Sequence, residues 1–107
     1  MANNYKNSKV DLTSTSITTL YTCPASTTAL VKSILVSDDS GSGDTITLTI
    51  TSGSDVFSIY KVKAVGANGT VELLTAPLVV QASEILKVTA ATANRLHVVA
   101  SVTWRYR

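Results

Sequence analysis

The C-terminal segment 96–107 alternates between two kinds of side chain, and this pattern constrains the fold more than any other feature. One set of alternate positions is apolar or aromatic: Leu96, Val98, Ala100, Val102, Trp104 and Tyr106. Successive side chains of a strand point to opposite faces, so the segment predicts a long strand with one face in a core. An amphipathic helix would need a 3.6-residue period, which no segment of the chain sustains.

The same alternation recurs along the chain. In 45–51, isoleucine and leucine alternate with threonine. The segment 30–36 is apolar on both faces, which predicts a central strand covered on both sides. In 56–65 the alternation shifts near Tyr60, which predicts a bulge or bend. Further short strands are predicted at 9–12, 17–22, 71–74, 77–80 and 85–90.

Turn residues separate these segments. The stretch 38–44 is rich in aspartate, serine and glycine, and predicts a hairpin that joins 30–36 to 45–51 through a loop longer than two residues. Pro77 lacks a backbone donor and is expected at a strand start or edge. About eight or nine short strands at this spacing predict an all-β chain, a single antiparallel β-sandwich of jelly-roll or immunoglobulin-like topology over residues 1–107. The polar residues 1–5 could form a mobile N-terminal arm.

Length and composition narrow the class of protein. The 107 residues suit one domain, and only 15% of them are charged. A net charge of +2 gives no indication of a nucleic-acid or membrane partner. Cys23 is the only cysteine, so no intrachain disulfide is possible. The N-terminal residues lack the apolar run of a signal peptide, and synthesis in the cytoplasm is expected.

The sequence has no pattern typical of an active site. His97 is the only histidine, and no Gly-x-Ser-x-Gly elbow accompanies it. A zinc site would need three or four histidine, cysteine or acidic ligands, and Cys23 and His97 are far apart in sequence. Glu72 and Glu84 are the only glutamates, and both lie in turn or strand-edge settings. We therefore predict that the chain is not an enzyme and has no catalytic, cofactor-binding or metal-binding residues.

Two short motifs are better explained as turns than as sites. Asp38, Asp39 and Asp44 could offer oxygen ligands to calcium, but their loop is too short for an EF-hand and has no closing glutamate. A solvated loop is the favoured interpretation. Asn68-Gly69-Thr70 matches a glycosylation sequon, which requires a secretory route, and is interpreted as an Asn-Gly turn.

The last strand also offers the best candidate for a partner interface. Trp104 falls on the same face as Val98 and Val102 and is expected in the core. Aromatic and arginine residues are enriched in interface cores. The candidate interface residues are His97, Arg105, Tyr106 and Arg107.

Several consecutive motifs together indicate a family. Leu-Tyr-Thr-Cys-Pro-Ala at 20–25 precedes Val-Lys-Ser-Ile-Leu-Val at 31–36, and a turn and a threonine-alternating strand follow at 38–51. Later, 82–86 reads Ala-Ser-Glu-Ile-Leu. Over nearly the whole chain these motifs resemble small virion structural proteins of tailed bacteriophages, including those that infect cyanobacteria. In that family glycine is usual where this chain has Ser83.

The resemblance implies a β-sandwich subunit of a virion, made in the host cytoplasm and without enzymatic activity or cofactors. The leading hypothesis is a capsid decoration or cement protein that clamps the major capsid protein. One alternative is a neck, tail or fibre-associated subunit. Another is a carbohydrate-binding attachment module, for which the candidate aromatic residues are Tyr5, Tyr21, Tyr60 and Tyr106. Virion symmetry favours a homo-oligomer, with a trimer expected.

Overall fold

The computed structural model describes the backbone of residues 4–106 and the side chains of residues 4–104. Regular structure within this range consists entirely of strands, which confirms the predicted all-β class. The described strands are β1 (Asn4–Leu12), β2 (Thr18–Thr22), β3 (Thr27–Asp38), β4 (Asp44–Ser52), β5 (Asp55–Val65), β6 (Thr70–Glu72), β7 (Leu78–Val80), β8 (Ile85–Ala90) and β9 (Leu96–Tyr106). No helix that could span a membrane is found among the described residues.

The strands form two antiparallel sheets. Sheet A has the order β1-β9-β3-β6, with β7 also paired to β3, and sheet B has the order β2-β8-β4-β5. Strands β6 and β7 lie end to end on one edge of β3, because β6 pairs with 35–37 and β7 with 29–31. They therefore act as one interrupted edge strand, and each sheet is four strands wide.

The connections show which sandwich this is. The chain crosses between the sheets at every connection except β4 to β5 and β6 to β7. Immunoglobulin sheets instead place strands that follow one another in the chain side by side, such as A and B. The order found here is that of a jelly roll, the first of the two predicted topologies.

The core lies between the sheets and is built from alternate residues of the long strands. In β9, Leu96, Val98, Ala100 and Val102 are buried, as the alternation predicts. The largest fully buried side chains are Leu12, Ile34, Ile46, Leu48, Leu73, Leu86, Leu96, Val31, Val36, Val80, Val88 and Val98. Each such side chain contributes about 1.5–3 kcal/mol through burial. A core of this kind stabilises the domain without a disulfide.

Strand β5 contains the predicted bulge. Its pairing with β4 shifts on both sides of Leu48, which lies opposite Tyr60. Val62 adopts a φ of +56° there, and its backbone N–H donates to Thr47 Oγ1 at 3.1 Å. A positive φ is rare for a β-branched residue, so the bulge interrupts the strand sharply.

The predicted hairpin between β3 and β4 is wrong. These strands belong to different sheets, and the loop 39–43 crosses the end of the sandwich. Both edges of β3 are already occupied, by β9 on one side and by β6 and β7 on the other, so β4 has no edge to join. The hairpin lies instead between β4 and β5, where Ser52 pairs with Asp55 and Gly53 has a φ of +63°, as a tight two-residue turn requires.

The prediction that the central strand at 30–36 is covered on both faces is wrong. Strand β3 is central in its sheet but is covered on one face only, since Leu35 is 42% exposed on the outer face.

Residues Asn4 and Tyr5, which the sequence placed in a possible arm, pair with Trp104 and Thr103 in sheet A. The rest of that arm, residues 1–3, lies outside the described residues. Pro77 directly precedes β7, as predicted.

Candidate interaction surfaces

His97 lies on the outer face of sheet A between two carboxylates. Its Nε2 is 3.1 Å from Asp11 Oδ1, and its Nδ1 is 3.6 Å from Asp39 Oδ2. Both ring nitrogens thus face carboxylates rather than a hydroxyl group, which is not the arrangement of a Ser-His-Asp triad. The side chain is 42% exposed, so the cluster remains accessible to a partner.

The three aspartates of the 38–44 segment point to different partners. Asp38 is buried, and its Oδ1 accepts hydrogen bonds of 2.8 Å from the backbone N–H and the hydroxyl of Ser40. Asp39 faces His97, and Asp44 Oδ2 accepts the backbone N–H of Thr92 at 2.9 Å. No group of three or more potential metal-ligating side chains converges within the described part of the chain.

Burial alone would raise the pKa of Asp38. Hydrogen bonds from Ser40, together with the backbone N–H groups of Gly41 and Gly43, outweigh the burial and bring that pKa below its ordinary value. The carboxylate therefore stays ionised and holds the crossing loop in shape. Its role is the internal capping of a turn.

Glu72 closes the gap between β6 and β7 on the edge of β3. Its carboxylate accepts the Ser33 hydroxyl, the backbone N–H of Ile34 at 2.8 Å and that of Leu74 at 3.2 Å. Partial burial acts to raise the pKa of Glu72, but these donors outweigh it and the pKa is lowered. The side chain replaces a missing strand partner. Glu84 is separate from it and accepts the backbone N–H of Gln81.

Cys23 carries a thiol, which is a potential nucleophile. The side chain is buried in the core, and its thiol lies 3.4 Å from the carbonyl oxygen of Thr27. Burial raises the pKa of the Cys23 thiol. A buried, protonated thiol is a structural group rather than a reactive one.

The first exposed apolar surface is the outer face of sheet A, called here the A face. Tyr5 is 71% exposed and Val79 is 53% exposed on this face, beside the half-buried Leu30. A groove of about 380 Å³ runs along it and is also lined by Lys32 and Trp104. Lone apolar residues on a surface are ordinary, whereas a contiguous group indicates a contact surface.

The second exposed apolar surface is the outer edge of β5, called here the β5 edge. Strand β5 is the last strand of sheet B and pairs with β4 alone among the described strands. Val56, Phe57 and Val62 are all more than half exposed on it. Lys61, Lys63 and the bulge limit unspecific pairing at its far end, because charges and bulges discourage edge association. The regular part next to the hairpin is therefore the part suited to a partner.

The structure distributes the sequence-predicted interface residues unevenly. His97 is on the A face, at the opposite end from Tyr5. Arg105 and Tyr106 continue β9 in the backbone, but their side chains, and the whole of Arg107, lie outside the described residues. The sequence analysis did not identify Leu30 and Val79 as surface residues. Leu30 lies in a segment that is apolar on both faces, and Val79 lies in a strand too short to show alternation.

The three tyrosines whose side chains are described do not converge either, and the side chain of Tyr106 lies outside the described residues. Tyr21 is buried in the core, Tyr60 is half-buried on β5, and Tyr5 is on the A face. The aromatic neighbour of Tyr5 at the groove is Trp104, and the ammonium group of Lys6 lies 5.8 Å from the centre of that ring. Trp104 is partly buried and packs against the core, as the alternation predicts.

No protein-family model and no curated protein matches the chain. Two crystal structures of a pentameric capsid protein isolated from metagenomic phage sequences are similar to it. Each aligns with 92% of this chain at 22% identity and a TM-score of 0.49. The chain covers 59% and 60% of those two proteins, less than two thirds of their length. A likeness at this level carries no argument about function.

Proposed function

We propose that this chain is a structural protein of a bacteriophage virion that decorates the capsid and clamps neighbouring copies of the major capsid protein. The observation that carries the proposal is the presence of two separate exposed apolar surfaces, the A face and the β5 edge. A clamp needs two contact surfaces held at a fixed separation. A jelly roll with its core closed between two sheets provides that rigidity.

Two further properties support this role. The described residues bring together no catalytic or metal-binding group, and the resemblance of the sequence motifs is to virion proteins. Many copies on a shell also gain avidity from contacts that are individually weak. The β5 edge is the surface we assign to the capsid, because a strand edge offers both unpaired backbone groups and the Val56 and Phe57 side chains.

Binding to purified shells tests this assignment. Capsids that lack the protein are mixed with wild type, with Phe57→Ser, and with Ile17→Ser, the control at an exposed apolar residue outside both surfaces. Phe57→Ser should lower shell binding by about tenfold, equivalent to about 1.4 kcal/mol, while Ile17→Ser should leave binding unchanged. Cryo-electron microscopy of intact particles should show density on the capsid surface, and its absence there would overturn the capsid role.

Two other roles stay open as proposals. A neck, tail or fibre-associated subunit would be present in few copies, whereas a shell protein is present in hundreds, so quantitative mass spectrometry of particles separates them. The exposed Tyr5 ring beside Trp104 is the observation that favours a carbohydrate-binding attachment module. A glycan array with no binder would remove that role. A trimer stays a prediction for the assembled particle.

A further inference from the structure

Paired residues on the A face form rows that cross the whole sheet. The first row is Tyr5 on β1, Thr103 on β9, Leu30 on β3 and Val79 on β7. Cross-strand neighbours of this kind have Cβ atoms only about 5 Å apart, so their side chains form a continuous strip. Both ends of the strip are exposed apolar side chains.

A second row lies further along the sheet, ends on β6 instead of β7, and carries charge. It consists of Lys9 on β1, Val99 on β9, Leu35 on β3 and Glu72 on β6. A cation therefore stands at one edge of the sheet and an anion at the other, with apolar side chains between them. Between the two rows lie the polar residues Asn7, Ser101 and Ser33, together with the exposed Lys32, which lines the groove beside them.

We propose that the A face binds a second copy of this chain, related by a two-fold axis that runs parallel to the strands between β9 and β3. Rotation about this axis places β1 of one copy over the β6–β7 edge of the other. Lys9 then faces the second copy's Glu72, and Tyr5 faces its Val79. Each contact occurs twice, as in any isologous interface.

Charge and polarity select this axis over the other possibility. A two-fold axis perpendicular to the strands and midway along the face would place Tyr5 over Asp11 and Leu30 over Ser37, so apolar side chains would meet polar ones. It would also leave Lys9 over Asn7, without a charged partner. The parallel axis pairs Lys9 with Glu72 and stacks Tyr5 on Val79, and complementarity of this kind fixes register in interfaces. Lys32 has no acidic partner with either axis.

The dimensions of the face set the expected strength. Four strands about 4.8 Å apart and seven residues at about 3.4 Å each give a face of roughly 450 Å² per copy. The total of roughly 900 Å² is below the standard interface size and typical of weak, transient association. We therefore expect a dissociation constant in the range of about 10 μM to 1 mM. The contact concerns the isolated chain and does not depend on a role in the virion.

A dilution series of amide NMR spectra of the ¹⁵N-labelled protein, up to about 1 mM, locates such a contact. The resonances expected to move are those of the A face, including Tyr5, Lys9, Leu30 and Val79. Resonances of the threonine-rich outer face of β4 should stay fixed. Absence of any concentration-dependent change up to that limit, or changes confined to β5, overturns the proposal.

Sedimentation equilibrium of matched variants tests the register. Val79→Asp should raise the dissociation constant by at least about tenfold, while Val56→Asp, the same substitution at a valine of β5 that is also more than half exposed, should leave it within about twofold. Lys9→Glu should weaken association because it faces the second copy's Glu72, and Lys61→Glu carries the same charge change without effect. Equal effects of the A-face and β5 variants, or a larger oligomer insensitive to Val79→Asp, would falsify the two-fold contact.

Discussion

The two sheets of this sandwich are alike on their inner faces and different on their outer faces. Inside, both contribute alternating leucine, isoleucine and valine to one core. Outside, sheet B displays Thr45, Thr47 and Thr49 of β4 next to Lys87 and Thr89 of β8. Sheet A displays Tyr5, Leu30, Leu35 and Val79, with opposite charges at its two edges.

This difference indicates which surfaces have a role beyond folding. Threonine suits a strand because it is β-branched, and its hydroxyl keeps an outer face polar. Such a face satisfies the fold, and the exposed apolar side chains of sheet B, which are Val56, Phe57 and Val62, lie on its β5 edge instead. Large apolar side chains on the outer face add nothing comparable to the core, so their presence on sheet A is better explained by contact with another molecule.

The largest expected effect on the free energy of unfolding comes from replacing leucine by alanine at an inner position and, for comparison, at an outer one. Leu48→Ala, at a fully buried residue of β4, should lower the free energy of unfolding by about 3 kcal/mol, because it leaves a cavity. Leu35→Ala on the A face should lower it by about 1 kcal/mol or less, because water already reaches the side chain. Urea denaturation measures both. Equal losses would mean that the A face is not open in solution.

A smaller effect on stability is expected at Glu72, whose side chain takes the place of a strand partner between β6 and β7. Glu72→Gln should lower the free energy of unfolding by about 1 kcal/mol, less than a fully buried charged hydrogen bond would contribute, because the site is exposed to solvent. Glu84→Gln is the matched control, since Glu84 accepts one backbone N–H where Glu72 accepts two and a hydroxyl. A control that destabilises as much as Glu72→Gln would contradict the role given to Glu72.

The free energy of unfolding should also fall in acid, because Glu72 at the β6–β7 edge becomes protonated. The pKa of Glu72 is lowered on folding, as is that of Asp38, so the unfolded chain binds protons more readily than the folded one. The stabilisation is complete above the ordinary glutamate pKa of 4.5 and is lost as the pH falls through the lower folded-state value. Thermal unfolding from pH 6 to about pH 3 should show a smaller decrease for Glu72→Gln than for wild type. Parallel curves would exclude Glu72 as a contributor.

The smallest effect on stability is expected when a valine on the outer face of sheet A is replaced by threonine, the residue typical of the outer face of sheet B. Val79→Thr should change the free energy of unfolding by less than about 0.5 kcal/mol, since the side chain lies more than half in solvent. The same variant should weaken the self-association measured by dilution. A large loss of stability would show that Val79 supports the fold instead.

Much of the local structure could be predicted from the sequence because strand alternation and turn chemistry are local properties. The core face of β9, the bulge near Tyr60 and the position of Pro77 all follow from neighbouring residues. Ser83 stands where glycine is usual in the resembling family, and it adopts a φ of +69°, the left-handed conformation that favours glycine.

Pairing between distant strands was not predictable in the same way. The 38–44 stretch has the composition of a hairpin turn, yet it links two sheets, because β9 and the β6–β7 edge occupy both sides of β3. Which strand pairs with an edge of β3 depends on residues throughout the chain, so it cannot be predicted from the loop residues alone.

The sequence by itself therefore determined the strands and the alternate residues that each could bury. Only the tertiary structure decided which strands are neighbours. It brought Asp11 and Asp39 to His97, split one edge strand around Glu72, and aligned Tyr5, Thr103, Leu30 and Val79 across sheet A. The physical reason is that side-chain direction repeats every two residues along a strand, whereas a surface is assembled from strands that are far apart in the chain.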